Sequence, residues 1–234
     1  MTPAAQWKAL TRNDWGEILA LSERRSFQRK FQFVKGFTEL VAEKGIHGVT
    51  YPEIARRCGT TRQLVTHHFP DHAQLLQLTY RFVYARFQKL ASDALLARQG
   101  FAQQFIAYVD AVADWVEDYR ADARFLAQWY ATLQVGEELR ELHERNMRIG
   151  QERIAALCLR AQKEERLFVG WSSEEALQRA SSVQSQLIGY IITNSVRGPQ
   201  ARTSPARQEL RRALLALLGF SAAPASAPPA SRRF

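Results

Sequence analysis

Two cysteines in 234 residues, Cys58 and Cys158, are too few and too far apart for a disulfide framework or a metal-ligand cluster. No window approaches the ~18 uninterrupted apolar residues of a membrane span. The opening Met-Thr-Pro-Ala-Ala-Gln-Trp-Lys lacks an apolar stretch after its early charge, so no signal peptide is expected and the cytoplasm is the expected compartment. Neither the G-x-x-x-x-G-K-[ST] phosphate loop nor the G-x-S-x-G nucleophile elbow occurs. Among five histidines, His68 and His72 have the spacing of a zinc pair, but Pro70 interrupts the helix between them. The carboxylates of Glu137, Glu138, Glu141 and Glu144 are interleaved with Arg140, Arg145 and Arg148, which is the pattern of a solvated, ion-paired helix face. No catalytic set assembles, and no metal or cofactor is expected.

What the chain does have is apolar residues, 46% of it, recurring at helical spacing almost everywhere, while two-residue alternation is missing. The expected class is all-α. Phe27, Phe31, Val34, Phe37 and Val41 make one stripe of a helix that stops at Gly45. Two short helices are expected to start at Thr50 and after Thr61, and a longer one after Pro70-Asp71. Five more follow at roughly 101–119, 121–134, 137–166, 173–197 and 205–218, with breaks at Gly100, Arg120-Ala121-Asp122, Gly136, Gly170 and Gly198-Pro199. Short helices followed by long ones suggest a small N-terminal domain (26–87) and a larger helical one (88–220). Residues 1–25 form an extension in which Trp7, Trp15, Ile18 and Leu21 could support a further helix. The Ala/Pro/Ser-rich tail, 221–234, lacks the apolar content to fold.

The net charge of +9 is concentrated toward the N-terminus, where residues 1–85 hold 12 Lys/Arg against 7 Asp/Glu. That bias suits a polyanion. The stretch from Thr50 to Phe69 says more. Thr50 and Glu53 form an S/T-x-x-E capping box with Pro52 in the first turn. Gly59 permits a left-handed bend between two short helices, and Thr61 can cap the second. At ~100° per residue, Arg62, Thr66, Gln63 and His67 share one arc, while Leu64, Val65 and His68 share the other. Arg and Gln are the side chains that pair bidentately with guanine and adenine in a major groove. The arrangement is that of a helix-turn-helix with its recognition helix.

With these pieces in place, residues 33–87 resemble the DNA-binding domain of the TetR family of bacterial regulators. The resemblance rests on Ala42-Glu43-Lys44-Gly45, Thr50 before Ile54-Ala55, Cys58-Gly59-Thr60-Thr61, His68-Phe69 and Leu75-Leu76. It implies a homodimer on a palindromic or pseudo-palindromic operator in double-stranded DNA, with repression relieved by a small effector. Thr50, Thr60, Thr61, Arg62, Gln63, Thr66, His67 and His72 are the expected DNA contacts. Two positions depart from the family pattern: Thr66 stands where a tyrosine is common, and His72 where a lysine is. The alternative reading is an architectural, nucleoid-associated protein of the same fold with no effector. Arg24, Arg25, Arg29 and Lys30 are either a DNA-contacting arm or a solvated face.

The larger domain is expected to bind the effector and to dimerise. Phe105, Tyr108, Trp115, Phe125, Trp129, Tyr130 and His143 are the pocket candidates, a set that an ordinary helical core would also supply. Leu187, Ile188, Ile191, Leu214 and Leu218, with small Ser185 and Gly189 nearby, are the candidates for a four-helix interface between subunits.

Overall fold

Helical spacing becomes helix throughout the computed structural model, which describes residues 15–131, 137–197 and 205–220. Ten helices and no strand occur among the described residues: α1 (Trp15–Glu23), α2 (Arg25–Lys44), α3 (Tyr51–Arg57), α4 (Arg62–His68), α5 (His72–Leu96), α6 (Phe101–Asp118), α7 (Arg120–Ala131), α8 (Glu137–Glu164), α9 (Ser173–Ser195) and α10 (Pro205–Leu217). The expected breaks at Gly136 and Gly198-Pro199, the last turn expected for α7, Trp7 and the tail lie outside the described residues.

The apolar stripe of α2 faces inward, with Phe31, Val34, Phe37 and Val41 buried and Phe27 half-buried near the helix start. The capping box forms as its spacing predicts. Glu53 Oε2 accepts from the Thr50 N–H at 2.9 Å, and the Thr50 side chain is matched to the third residue of α3. Gly59 takes φ +61° between α3 and α4, a left-handed conformation that suits glycine. Asp71 Oδ1 accepts from the Gln74 N–H at 2.8 Å and so starts α5.

Helix α5 runs unbroken from the short N-terminal helices into the larger helical body. Leu75 and Leu76 at its start, and Tyr80 through Leu95 further on, belong to one continuous apolar cluster. Helix α1 packs on α5 and α2. Helix α7 lies against α2 on the side away from the turn. There Gln128 joins the two, its Oε1 accepting the Ile46 N–H at 2.7 Å and its Nε2 donating to the Val41 carbonyl at 3.0 Å. Arg124 Nε donates to the Ser195 carbonyl of α9 at 2.9 Å from the same helix. Arg207 and Arg211 of α10 reach Asp114 and Asp110 of α6 at 2.7 and 2.6 Å, clamping the last helix to the body.

The crossing of α2 and α3 is close at one point. A Cβ added at Gly36 would sit 2.7 Å from Cys58 Sγ and 3.4 Å from Arg57 Cγ, so α3 rides directly on a glycine. Gly36→Val must push α3 outward. The expected cost is about 1–3 kcal/mol, the usual penalty for overpacking, read as a lowered denaturation midpoint in urea at unchanged m-value.

Candidate nucleic-acid interface and buried polar core

Helix α4 has seven residues, too few to persist alone, and is held by what it buries. Val65 is fully buried, while Leu64 and His68 are half-buried. Thr61 caps the helix by accepting the Leu64 N–H at 3.3 Å. Arg62, Gln63, Thr66 and His67 are all exposed. The outward arc is therefore the one that the helical angles single out. Thr66 Oγ1 donates back to the Arg62 carbonyl at 3.1 Å, which leaves its oxygen, rather than its hydrogen, outward.

Charge around this helix is uneven. Arg57 is neutralised by Glu39 and Glu43 at 3.0 and 2.7 Å, and Lys44 by Glu53. Among the described residues no carboxylate pairs with Arg24, Arg25, Arg29, Lys30 or Arg62. Lys30 Nζ lies 5.5 Å from the Phe69 ring centre, at the end of α4. Lys30 and Arg29, together with His67, help hold the His68 pKa below its ordinary value, behind the larger effect of burial. The basic start of α2 thus adjoins the C-terminal end of α4.

His72 departs from the expected contact set. Its ring is half-buried, edge-on to Phe37 at 5.3 Å and stacked on Tyr51 at 6.1 Å. Among the described residues nothing hydrogen-bonds its buried Nε2. The side chain borders a shallow cleft with Thr50 and Arg62, but it is placed as packing rather than as an outward cation. Thr50 is exposed, and its hydroxyl is engaged with Glu53 at 2.8 Å. Thr60 is half-buried in the turn and Thr61 exposed at the cap.

Most of the pocket candidates fall in two sets of ring contacts, a long one joined through Tyr80–Tyr84 and Phe125–Trp129 and a separate one around Phe105. Trp129 stacks on Tyr80 at 4.2 Å, and Tyr130 and His143 gather around the same tyrosine. Trp115 packs on Phe87 at 5.1 Å, which in turn meets Tyr84. Phe105 lies apart, against Phe101 in a cluster with Phe168 and Phe220. Phe125 faces Phe37 across the α2–α7 junction at 6.3 Å.

Between these clusters runs a polar stripe of which sequence reading singled out only His143. It is carried by Tyr80, Tyr84, Gln88 and Ser92 on α5 and by His143, Asn146, Arg153 and Arg160 on α8. Tyr80 Oη lies 3.3 Å from His143 Nδ1 and accepts from Asn146 Nδ2 at 3.1 Å, while Tyr84 donates to the Asn146 carbonyl at 2.7 Å. Arg153 is 1% exposed and donates through Nη1 to Gln88 Oε1. Its Nε and Nη2, Ser92 Oγ and Trp115 Nε1 are buried with no partner among the described residues. Burial raises the pKa of Tyr84 and of Tyr108, keeps His143 below its usual value and lowers that of Arg153. The available signal was a spacing of seven, Asn146–Arg153–Arg160, on a helix that has to face a core.

Four of the five dimer candidates are corrected by the structure. Leu187, Ile191, Leu214 and Leu218 are buried within the single chain, where α9 and α10 pack on each other and on α6. Ile188 is half-buried. The large apolar residues left exposed on α9 and its cap are Leu177, Ile192 and Val196. Ser185 and Gly189 are exposed beside them, and an added Cβ at Gly189 would meet nothing.

Residues 36–79, from the middle of α2 into α5, match the model of the bacterial regulatory proteins of the tetR family. Over these residues the chain carries a tetR-type N-terminal domain. The HTH-type transcriptional regulator BetI of Escherichia coli O17:K52:H18 is 31% identical over 108 residues, a match spanning 45% of this chain and 55% of BetI. The chain therefore matches only about half the length of that relative. Two solved structures share the overall fold. The fatty acid degradation regulator FadR of Bacillus halodurans has a TM-score of 0.65 at 12% identity, covering 79% of this chain and 96% of FadR. AibR, solved with isovaleryl coenzyme A and operator DNA, has a TM-score of 0.64 at 16% identity, covering 82% of this chain and 98% of AibR.

Burial lowers the His72 pKa, with His47 acting in the same direction and the Val49 backbone and Asp71 opposing it. The unfolded chain therefore takes up a proton near the ordinary histidine pKa of ~6.5 that the fold resists. Stability from His72 is complete above that pH and falls as the pH drops below it. The thermal midpoint of the TetR-type domain is expected to fall between pH 7 and 5, and His72→Gln to make that slope shallower. An unchanged slope contradicts the packed, neutral imidazole.

Proposed function

We propose that this chain is a sequence-specific transcriptional regulator, a repressor that leaves its operator when a small molecule enters the helical body. The observation that carries the proposal is the outward arc of Arg62, Gln63, Thr66 and His67 on a helix pinned by Val65, within a TetR-family match. Arg62 and Gln63, at the N-terminal end of α4, are the base readers. Thr61 and His67 serve phosphates, with Arg29 and Lys30 adding charge at the far end of the helix, while both Thr50 donors stay with Glu53. His72 acts indirectly, by holding the start of α5 against Phe37 and Tyr51.

One short helix reads few base pairs, so the protein acts as a homodimer with two copies of α4 one DNA turn apart. The outer face of α9 and its cap, with Ile192 and Val196 exposed, Ile188 half-buried and small Ser185 and Gly189 beside them, supplies the twofold surface in place of the buried residues. The link from effector to operator passes through α7. It carries Trp129 on the Tyr80 cluster and Gln128 on the end of α2, so a shift of α7 moves the helix that backs α4. AibR, solved with both an acyl-coenzyme A and operator DNA, supports this two-site arrangement by fold likeness alone.

Fragments of the source genome selected by the purified protein should contain two half-sites related by a dyad, about 10 base pairs between centres. Arg62→Ala should cost about 1–3 kcal/mol on that site and relax discrimination at one base per half-site. Replacing Arg29 and Lys30 with Gln should weaken binding evenly across sequences and reduce the salt slope by about one per residue. Binding of all fragments alike, with no dyad, returns the architectural reading and overturns this one.

A further inference from the structure

An arginine without a counter-ion in the middle of a helical bundle calls for an explanation. Arg153 is 1% exposed, and among the described residues it has one partner, the neutral Gln88. Taking a guanidinium out of water costs several kcal/mol unless charge and hydrogen bonds offset the loss. The two nitrogens left without partners, Nε and Nη2, are the pair that share one edge of the guanidinium. Both their N–H bonds point the same way, and that edge matches the two oxygens of a planar anion. One turn beyond Gln88 on α5, Ser92 Oγ is buried and equally unpartnered. Tyr84 and Tyr108 are the nearby groups that act on Arg153 electrostatically, and Phe87 and Trp115 extend the aromatic wall.

We propose that the side-on edge of Arg153, with Ser92 beside it, binds the carboxylate of a small effector whose apolar body lies among Tyr84, Tyr108, Phe87 and Trp115. This names the ligand class for the effector-responsive regulator proposed above, and rests on that reading for its biological sense. One guanidinium matches one negative charge. A phosphate ester, with nearly twice that charge, would call for a second cation. The nearest candidate by register, Arg160, is engaged with Gln104 and with Glu164 at 3.8 Å. A cationic or neutral effector leaves the edge unpaired and gains nothing from it. Binding also completes a network that reaches α7, since Tyr84 holds the Asn146 carbonyl and Asn146 holds Tyr80, on which Trp129 stacks.

The test uses the full chain without DNA and a panel of straight-chain acids of two to ten carbons, benzoate and phenylacetate, each beside its primary amide. Ligand-induced shift of the unfolding midpoint and quenching of tryptophan fluorescence are the readouts. At least one acid should bind about 10- to 100-fold tighter than its amide, the range set by hydrogen bonds to a charged group. Arg153→Met should abolish that preference while unfolding at or above the wild-type temperature, because it removes a buried unpaired charge. Arg153→Lys should keep the charge, lose the paired edge and bind the same acid at least tenfold more weakly. If no acid outdoes its amide, or if the preference survives in Arg153→Met, the proposal is wrong; the wild-type comparison decides this even should a variant fail to fold. Retention of promoter fragments by the free protein is scored separately. Acid binding by a protein that retains no fragment sinks the regulator and leaves the carboxylate site standing, whereas fragment retention without acid preference does the reverse.

Discussion

Val65 is the residue on which the outward chemistry of this protein depends. A seven-residue helix has no stability of its own, so α4 exists because one side of it is buried in the cluster that also holds Phe33, Ile54 and Phe69. Once Val65 points inward, helical geometry leaves Arg62, Gln63, Thr66 and His67 no direction but out. The polar arc is a consequence of the apolar one. The capping box at Thr50, the positive φ of Gly59 and the cap at Thr61 then fix where α4 begins and how it is aimed, while α2 forms the floor beneath it.

That floor is shared. Helix α2 meets α3 on one side, at Gly36, and α7 on the other, through Phe37, Phe125 and Gln128. Gln128 is well suited to report movement, because both ends of its amide are committed to the backbone at the close of α2. The N-terminal helices therefore do not hang from a flexible linker. They are joined to the body by the unbroken α5 and by this polar clamp, so a rearrangement around Tyr80 and Trp129 has a short mechanical path to α4.

Much of this could be read from the chain before any coordinates. Periodicity placed the helices, and the spacing Thr50–Glu53, with Gly59 and Asp71, placed their ends. These are local signals written in a few adjacent residues. The angles of α4 separated Val65 from Arg62 for the same reason. Other features needed the third dimension. Leu187, Ile191, Leu214 and Leu218 announce that something covers them, but periodicity cannot say whether the cover is the same chain or a twin, and the chain itself supplies it. His72 lies at a position where the family commonly has a cation, yet Phe37 and Tyr51, distant in sequence, draw its ring inward. Arg153 was hidden by its neighbours: α8 is rich in solvated charge, and one arginine in seven-residue register with Asn146 looks like the rest until the burial of its helix face is known.

The central claim is that two copies of α4 enter successive major-groove faces of one duplex, each by its N-terminal end. A crystal structure of the protein on its selected operator tests it most directly. The account predicts Arg62 and Gln63 at base edges and the two α4 helices about 34–36 Å apart along the duplex. A complex in which α4 lies off the groove, or in which the paired helices stand at a separation that no single face of DNA can meet, would contradict it.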